Sequence, residues 1–153
     1  MRLIFTSQNS IYSRGIEFFE GSEFSHVAAV FADDSVIETT WKTGVRQRHL
    51  DSMMADAQRY RLFDIPLPDE AAAHAFAVAQ IGKKYDKTAI IGFPFYRAWD
   101  EDDAWYCSEL SCAILKAGGY TLAGSNAYHR VGVRLSLEFV QGLALGHGTL
   151  ASA

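Results

Sequence analysis

A chain of 153 residues with 49% apolar and 13% aromatic side chains carries enough material for one core of ordinary domain size, and we expect a single domain over residues 1–153. Its formal charge of −4, with basic residues grouped only at Lys83-Lys84 and at Arg46 and Arg48, argues against nucleic acid as a partner. No stretch approaches the roughly 20 apolar residues of a membrane span, and the apolar run after Met1 is too short for a signal peptide, so the expected location is the cytoplasm as synthesised unless another system exports or releases the protein.

Leu3 to Thr6 reads as a short strand, and Ile11 to Gly21 shows helix-like spacing of Ile11, Ile16, Phe18 and Phe19. From Ser25 to Thr40 the pattern is that of a hairpin: the apolar run Val27 to Phe31, the polar turn Ala32-Asp33-Asp34, then Ser35 to Thr40. Val45 to Arg48 and Tyr60 to Ile65 supply further strands, so the sheet is expected to be antiparallel. Pro66 and Pro68 end the last of them.

Asp69-Glu70 open an alanine-rich helix over Ala71 to Ile81, capped by Gly82, with Lys83-Lys84 at its negative end. A second helix runs from about Cys107 to Lys116, its core face formed by Leu110, Ala113, Ile114 and Ala117, and Gly118-Gly119 stop it. The stretch from Gly142 to Ala153 is rich in glycine, alanine and small polar residues and is expected to be loosely held. Strands gathered in the first half and two helices behind them make an α+β domain.

Cys107 stands at the first position of the second helix, where unpaired backbone N–H groups and the helix dipole favour a thiolate. The acidic run Asp100 to Asp103 just before it would oppose that charge, and we read it as a solvated loop directed elsewhere. Cys112, within the apolar part of the same helix, is read as a buried small hydrophobe. A disulfide between the two is not expected, because five residues along a helix separate side chains around the axis.

His26 opens the first hairpin strand. With a three-residue turn at Ala32-Asp33-Asp34, Phe31 faces Ser35 and Ala28 faces Glu38, which makes Glu38 a diagonal neighbour of His26 on one face. Diagonal Cα atoms lie ~7–8 Å apart, a gap that a glutamate spans to a ring nitrogen. A slip of one residue would send Glu38 to the opposite face. Thiol, imidazole and carboxylate together meet the requirements of nucleophilic catalysis. His49, His74, His129 and His147 have no cysteine or carboxylate at metal-ligand spacing, so no zinc site and no other cofactor is expected.

Four segments in this order, Ser25-His26-Val27, Val36-Ile37-Glu38, Gly82-Lys83-Lys84-Tyr85-Asp86 and Tyr106-Cys107-Ser108-Glu109-Leu110, resemble the circularly permuted branch of the NlpC-type papain-like superfamily. That branch includes the YiiX-like hydrolases and, more distantly, the lecithin retinol acyltransferase-like proteins. The resemblance implies a permuted papain-like fold, an antiparallel sheet or partial barrel packed against helices. It further implies Cys107 as nucleophile, His26 as base and Glu38 as third member, with Tyr106, Ser25 and Tyr85 on the substrate and oxyanion side, Tyr85 more as a structural element.

The leading expectation is therefore a cysteine hydrolase that cleaves an amide bond, in a cell-wall peptide or another peptide-like substrate, through a thioacyl-enzyme. The same trio would serve a lipid thioesterase or acyltransferase; the aromatic stretch Ile90 to Tyr96 with Trp99 is read first as a core-covering loop, with an acyl groove as its alternative. A non-catalytic binding domain that retained the fold is the third reading.

Overall fold

The computed structural model describes residues 1–8, 21–85, 104–120, 132–134, 136–138 and 140–141, and the backbone of 150–152. The helical spacing noted over Ile11 to Gly21 falls almost wholly outside the described residues. So do the acidic run at Asp100 to Asp103 and the aromatic stretch at Ile90 to Tyr96.

Two short turns set the register of three neighbouring strands. Strands β1 (Arg2–Ser7), β2 (His26–Val30), β3 (Ser35–Thr40), β4 (Gly44–His49) and β5 (Arg59–Asp64) form an antiparallel sheet in the order β4-β3-β2-β1-β5. The turn between β2 and β3 closes with Asp34 N–H on Phe31 O at 3.0 Å, and Asp34 takes the left-handed conformation, φ 59°, that an aspartate tolerates. The resulting register sets Ala29 against Ile37 and Val30 against Val36, the pairing expected from a three-residue turn.

Both faces of the sheet are covered, which is why β2 reads as an unbroken apolar run instead of alternating. On one face Leu3, Phe5, Val27, Ala29, Ile37 and Phe63 join Ala73 and Ala77 of helix α2 (Glu70–Ala79) and Leu110, Ile114 and Leu115 of helix α3 (Cys107–Ala117). On the other, Ile4, Ala28, Val30 and Val36 pack with Leu50 and Met53 of helix α1 (Leu50–Asp56). The fold is α+β.

Helix α1 has no counterpart in the sequence reading. Its N-cap is His49, whose Nδ1 accepts from the Asp51 N–H at 3.3 Å, and Arg48 ties it back to β4 through Ser52 and Asp56, each at 2.6 Å. Helix α2 starts as expected, with Asp69 accepting from the Ala72 N–H at 2.9 Å. Its end differs. Gln80, not Gly82, is the cap, and Gly82 lies past the helix, where its φ of 92° turns the chain so that its N–H reaches Val45 O at 2.9 Å. No basic residue lies in the last turn of α2, and the Lys83 ammonium sits over the Trp105 ring.

The chain then pairs Lys84–Tyr85 (β6) in parallel with Ala104–Trp105 (β7). Helix α3 follows directly and is stopped by Gly118 and Gly119, the latter at φ 94°. In α3, Leu110 and Ile114 are fully buried as the periodicity requires, whereas Ala113 and Ala117 are half-buried. At the far end, Leu150–Ser152 (β8) pairs with β5 as an edge strand, so this part of the tail is tied to the sheet instead of loosely held.

Candidate active site

Cys107 enters the site because β7 leads straight into α3. The Trp105 carbonyl accepts from Thr39 Oγ1 of β3 at 3.3 Å and its indole N–H donates to Gln80 Oε1 at 3.2 Å, which fixes Trp105, two residues before the cysteine, to the sheet and to the end of α2. The start of α3 is closed by its own third residue: Glu109 Oε2 accepts the Tyr106 N–H at 3.1 Å. Cys107 is 3% exposed, and α3 packs along β2, whose first residue is His26.

His26 and Glu38 meet as the hairpin register dictates. The Nε2 atom of His26 lies 2.9 Å from Glu38 Oε2, and the Cys107 side chain acts on the same ring to raise its basicity. Imidazole and carboxylate are thus hydrogen-bonded, and the sulfur acts on the same ring, the three groups coming from β2, β3 and α3.

Glu38 is 2% exposed, and a lone carboxylate at that depth would give up its charge. His26 and then Arg46 keep it ionised. Arg46 is its direct partner across β3 and β4, and both its Nε, at 2.9 Å, and its Nη2, at 2.7 Å, donate to Oε1. Arg48 Nη1 stands 3.6 Å from the same oxygen.

Burial pushes the Glu38 carboxyl upward, but the hydrogen bond and charge of His26 and then those of Arg46 outweigh it and bring the group down from 4.5 to about 2. Burial likewise disfavours a charged His26, yet the hydrogen bonds to Cys107 and Glu38 and their charges prevail and raise the imidazole from 6.5 to about 10. His26 is therefore held as the imidazolium through the neutral range. Cys112 behaves as an inert thiol: burial, then Glu109 and Cys107, drive it up to about 11 against a weak contact with Ser136 Oγ at 4.0 Å. Both cysteines are free.

Of the other residues singled out in the sequence, Tyr106 is buried immediately before Cys107, and its ring meets Tyr85 at 5.9 Å. Tyr85 in turn meets the half-exposed Trp41 at 5.8 Å. Ser25 is buried beside His26, with its N–H on Thr6 O at 3.0 Å. Asp86 lies outside the described residues. His74 packs edge-on against Phe31 at 4.6 Å, and among the described residues no three histidine, cysteine or acidic side chains gather to hold a metal ion.

Sequence reasoning missed Arg46 and Arg48. The signal was present: Trp41-Lys42-Thr43 followed by a glycine is another three-residue turn, and it puts Arg46 opposite Glu38.

A family model described as permuted papain-like amidase enzyme, YaeF/YiiX, C92 family, matches residues 2–133. No curated protein matches the chain by sequence. Among solved structures, the fold is similar to the crystal structure described as the metalloprotein yiiX from Escherichia coli O157:H7, with a TM-score of 0.60 and 21% identity over 77% of this chain. The match spans 64% of that protein's length. The described residues offer no cluster to match the metal in its description.

Proposed function

Because this chain belongs to the permuted papain-like amidase family, a family of cysteine hydrolases, we propose that Cys107, His26 and Glu38 form its catalytic triad and that it cleaves an amide bond in a peptide-like substrate. The observation that carries this reading is the hydrogen bond of the His26 ring to the buried Glu38 Oε2 at 2.9 Å, with the Cys107 side chain acting on the same ring. With Nε2 committed to Glu38, Nδ1 is the ring nitrogen that trades a proton with sulfur.

In the first half-reaction the proton shared by Cys107 and His26 already lies on the ring, and the thiolate sulfur attacks the carbonyl carbon to give a tetrahedral oxyanion. The Cys107 N–H, at the start of α3, faces the position where that charge develops, and Tyr106 walls the same side. The C–N bond then breaks as His26 returns the proton to the departing amine, leaving a thioacyl-enzyme. Water attacks this thioester with His26 as base, the carboxylate is released and the thiol is restored. Glu38 stays ionised throughout, fixing the ring's orientation and offsetting its positive charge.

The test is the pH dependence of Cys107 alkylation by iodoacetamide, in a Cys112→Ser background that isolates one thiol. In the parent, alkylation continues well to the acid side of pH ~8.5, below which an ordinary free thiol is protonated, and His26→Ala abolishes that acid-side reactivity. A thiol that reacts only above that pH, indifferent to His26→Ala, would sink the triad. Given an active pair, product analysis with cell-wall peptide fragments against a set of lipid esters decides the bond cleaved; peptide products support the amidase reading and lipid products alone replace it with a thioesterase or acyltransferase.

A further inference from the structure

We propose that Arg46 is a positioning residue of this site: by clamping Oε1 of Glu38 with two N–H groups it turns the other oxygen toward His26 and keeps the carboxylate ionised when the surroundings turn acid. The inference rests on the triad reading above and adds to it a fourth residue that does not touch the reacting atoms.

Geometry separates the work of the two carboxylate oxygens. Oε1 takes Arg46 Nε and Nη2 at 2.9 and 2.7 Å, whereas among the described residues Oε2 takes only the His26 ring, at 2.9 Å. A carboxylate gripped at one oxygen by a planar guanidinium cannot rotate its second oxygen away from the imidazole without losing both bonds. The clamp is built into the sheet, since Glu38 and Arg46 are register partners across β3 and β4 and share a face with His26.

Arg48 is the other cation near Oε1, but at 3.6 Å it is beyond a good hydrogen bond, and its terminal nitrogen is held by Asp56 and Ser52 at 2.6 Å each. Arg48 thus fastens α1 to β4, and the orienting bonds come from Arg46. The charged and titratable groups around Glu38 are then His26 from β2, Arg46 and Arg48 from β4, Asp56 from α1 behind Arg48, and Cys107 from α3 behind His26. Arg46 is 41% exposed, so its replacement leaves no buried cavity.

The experiment compares the alkylation profile of Cys107 in the parent, Arg46→Met and Arg46→Lys, all carrying Cys112→Ser, with circular dichroism to verify that each stays folded over the pH range. Arg46→Met raises the pH at which acid quenches alkylation by about one unit or more, the usual effect of an adjacent arginine on a carboxylate, because Glu38 now takes up a proton and releases the ring. Arg46→Lys, which restores the charge with a single point of contact, recovers part of that shift. If Arg46→Met follows the parent's profile while His26→Ala still abolishes acid-side reactivity, Arg46 is a surface ion-pair residue and the inference falls alone. If the parent itself shows no dependence on His26, the triad reading falls first.

Discussion

Glu38 and His26 are each charged at a depth where neither would be charged alone, and the consequence is a pH-dependent contribution to stability whose direction follows from the shifts. The raised His26, from 6.5 to about 10, contributes stability that is fully present below 6.5 and is lost as the pH rises through about 10. The lowered Glu38, from 4.5 to about 2, contributes stability present above 4.5 and lost as the pH falls through about 2. The pair is at full strength between 4.5 and 6.5. Urea unfolding of the parent and of His26→Ala across pH 5.5 to 10 checks the alkaline side. The parent's advantage is largest at the acid end and shrinks steadily toward pH 10; an advantage that does not change with pH would mean that the ring contributes packing and not charge.

At the scale of elements, the two hairpins do the positioning, and they differ in how far the sequence discloses them. The β2–β3 turn announces itself through Asp33-Asp34 between apolar runs, and its register alone is enough to bring Glu38 to His26. The β3–β4 turn is hidden by Trp41, a half-exposed aromatic where a polar turn residue is expected, and with it the position of Arg46. Helix α1 is hidden for another reason: Leu50–Asp56 is only two turns long, begins on a histidine cap and carries two adjacent methionines, so no apolar stripe can develop. Cys107 was legible as a helix-start thiol, but no local spacing ties it to a histidine 81 positions earlier; the chemistry of the trio suggested the pairing and the order of the resembling motifs supported it.

The glycine that ends the second turn shows what holds this region. Gly44 has φ 67°, and a Cβ there would lie 2.1 Å from the Lys83 carbonyl oxygen, the same oxygen that accepts from Val45 N–H at 2.8 Å. Gly44→Ala is therefore both strained and overlapping with backbone, and it pushes β4 away from the segment leading into β6. The expected cost is ~2–4 kcal/mol, read from the urea midpoint, of which left-handed strain alone supplies about 1–2. A loss below ~0.5 kcal/mol, the size of an ordinary surface change, would show that Lys83 can retreat without cost.

Across the whole molecule the site joins parts that come from distant stretches of the chain. His26, Glu38 and Arg46 belong to two consecutive hairpins, whereas Cys107 is delivered by α3, which docks on β2 through Leu110, Ile114 and Leu115. If α3 acts as a rigid carrier, weakening its dock should lower stability without moving the sulfur. Ile114 is fully buried in that dock and lies seven residues, about two turns or ~10 Å, along the helix from Cys107. Ile114→Ala leaves a cavity and is expected to cost ~2–5 kcal/mol, seen as a lower urea midpoint at unchanged slope. Below its transition, the variant alkylates Cys107 with the parent's pH profile and the same dependence on His26, because β7 still fastens the helix start to Thr39 and Gln80. A variant that remains folded yet loses the acid-side reactivity would instead mean that the apolar dock, and not the β7 anchor, sets the distance between sulfur and imidazole. The placement of the Cys107 sulfur would then be a property of the core as a whole.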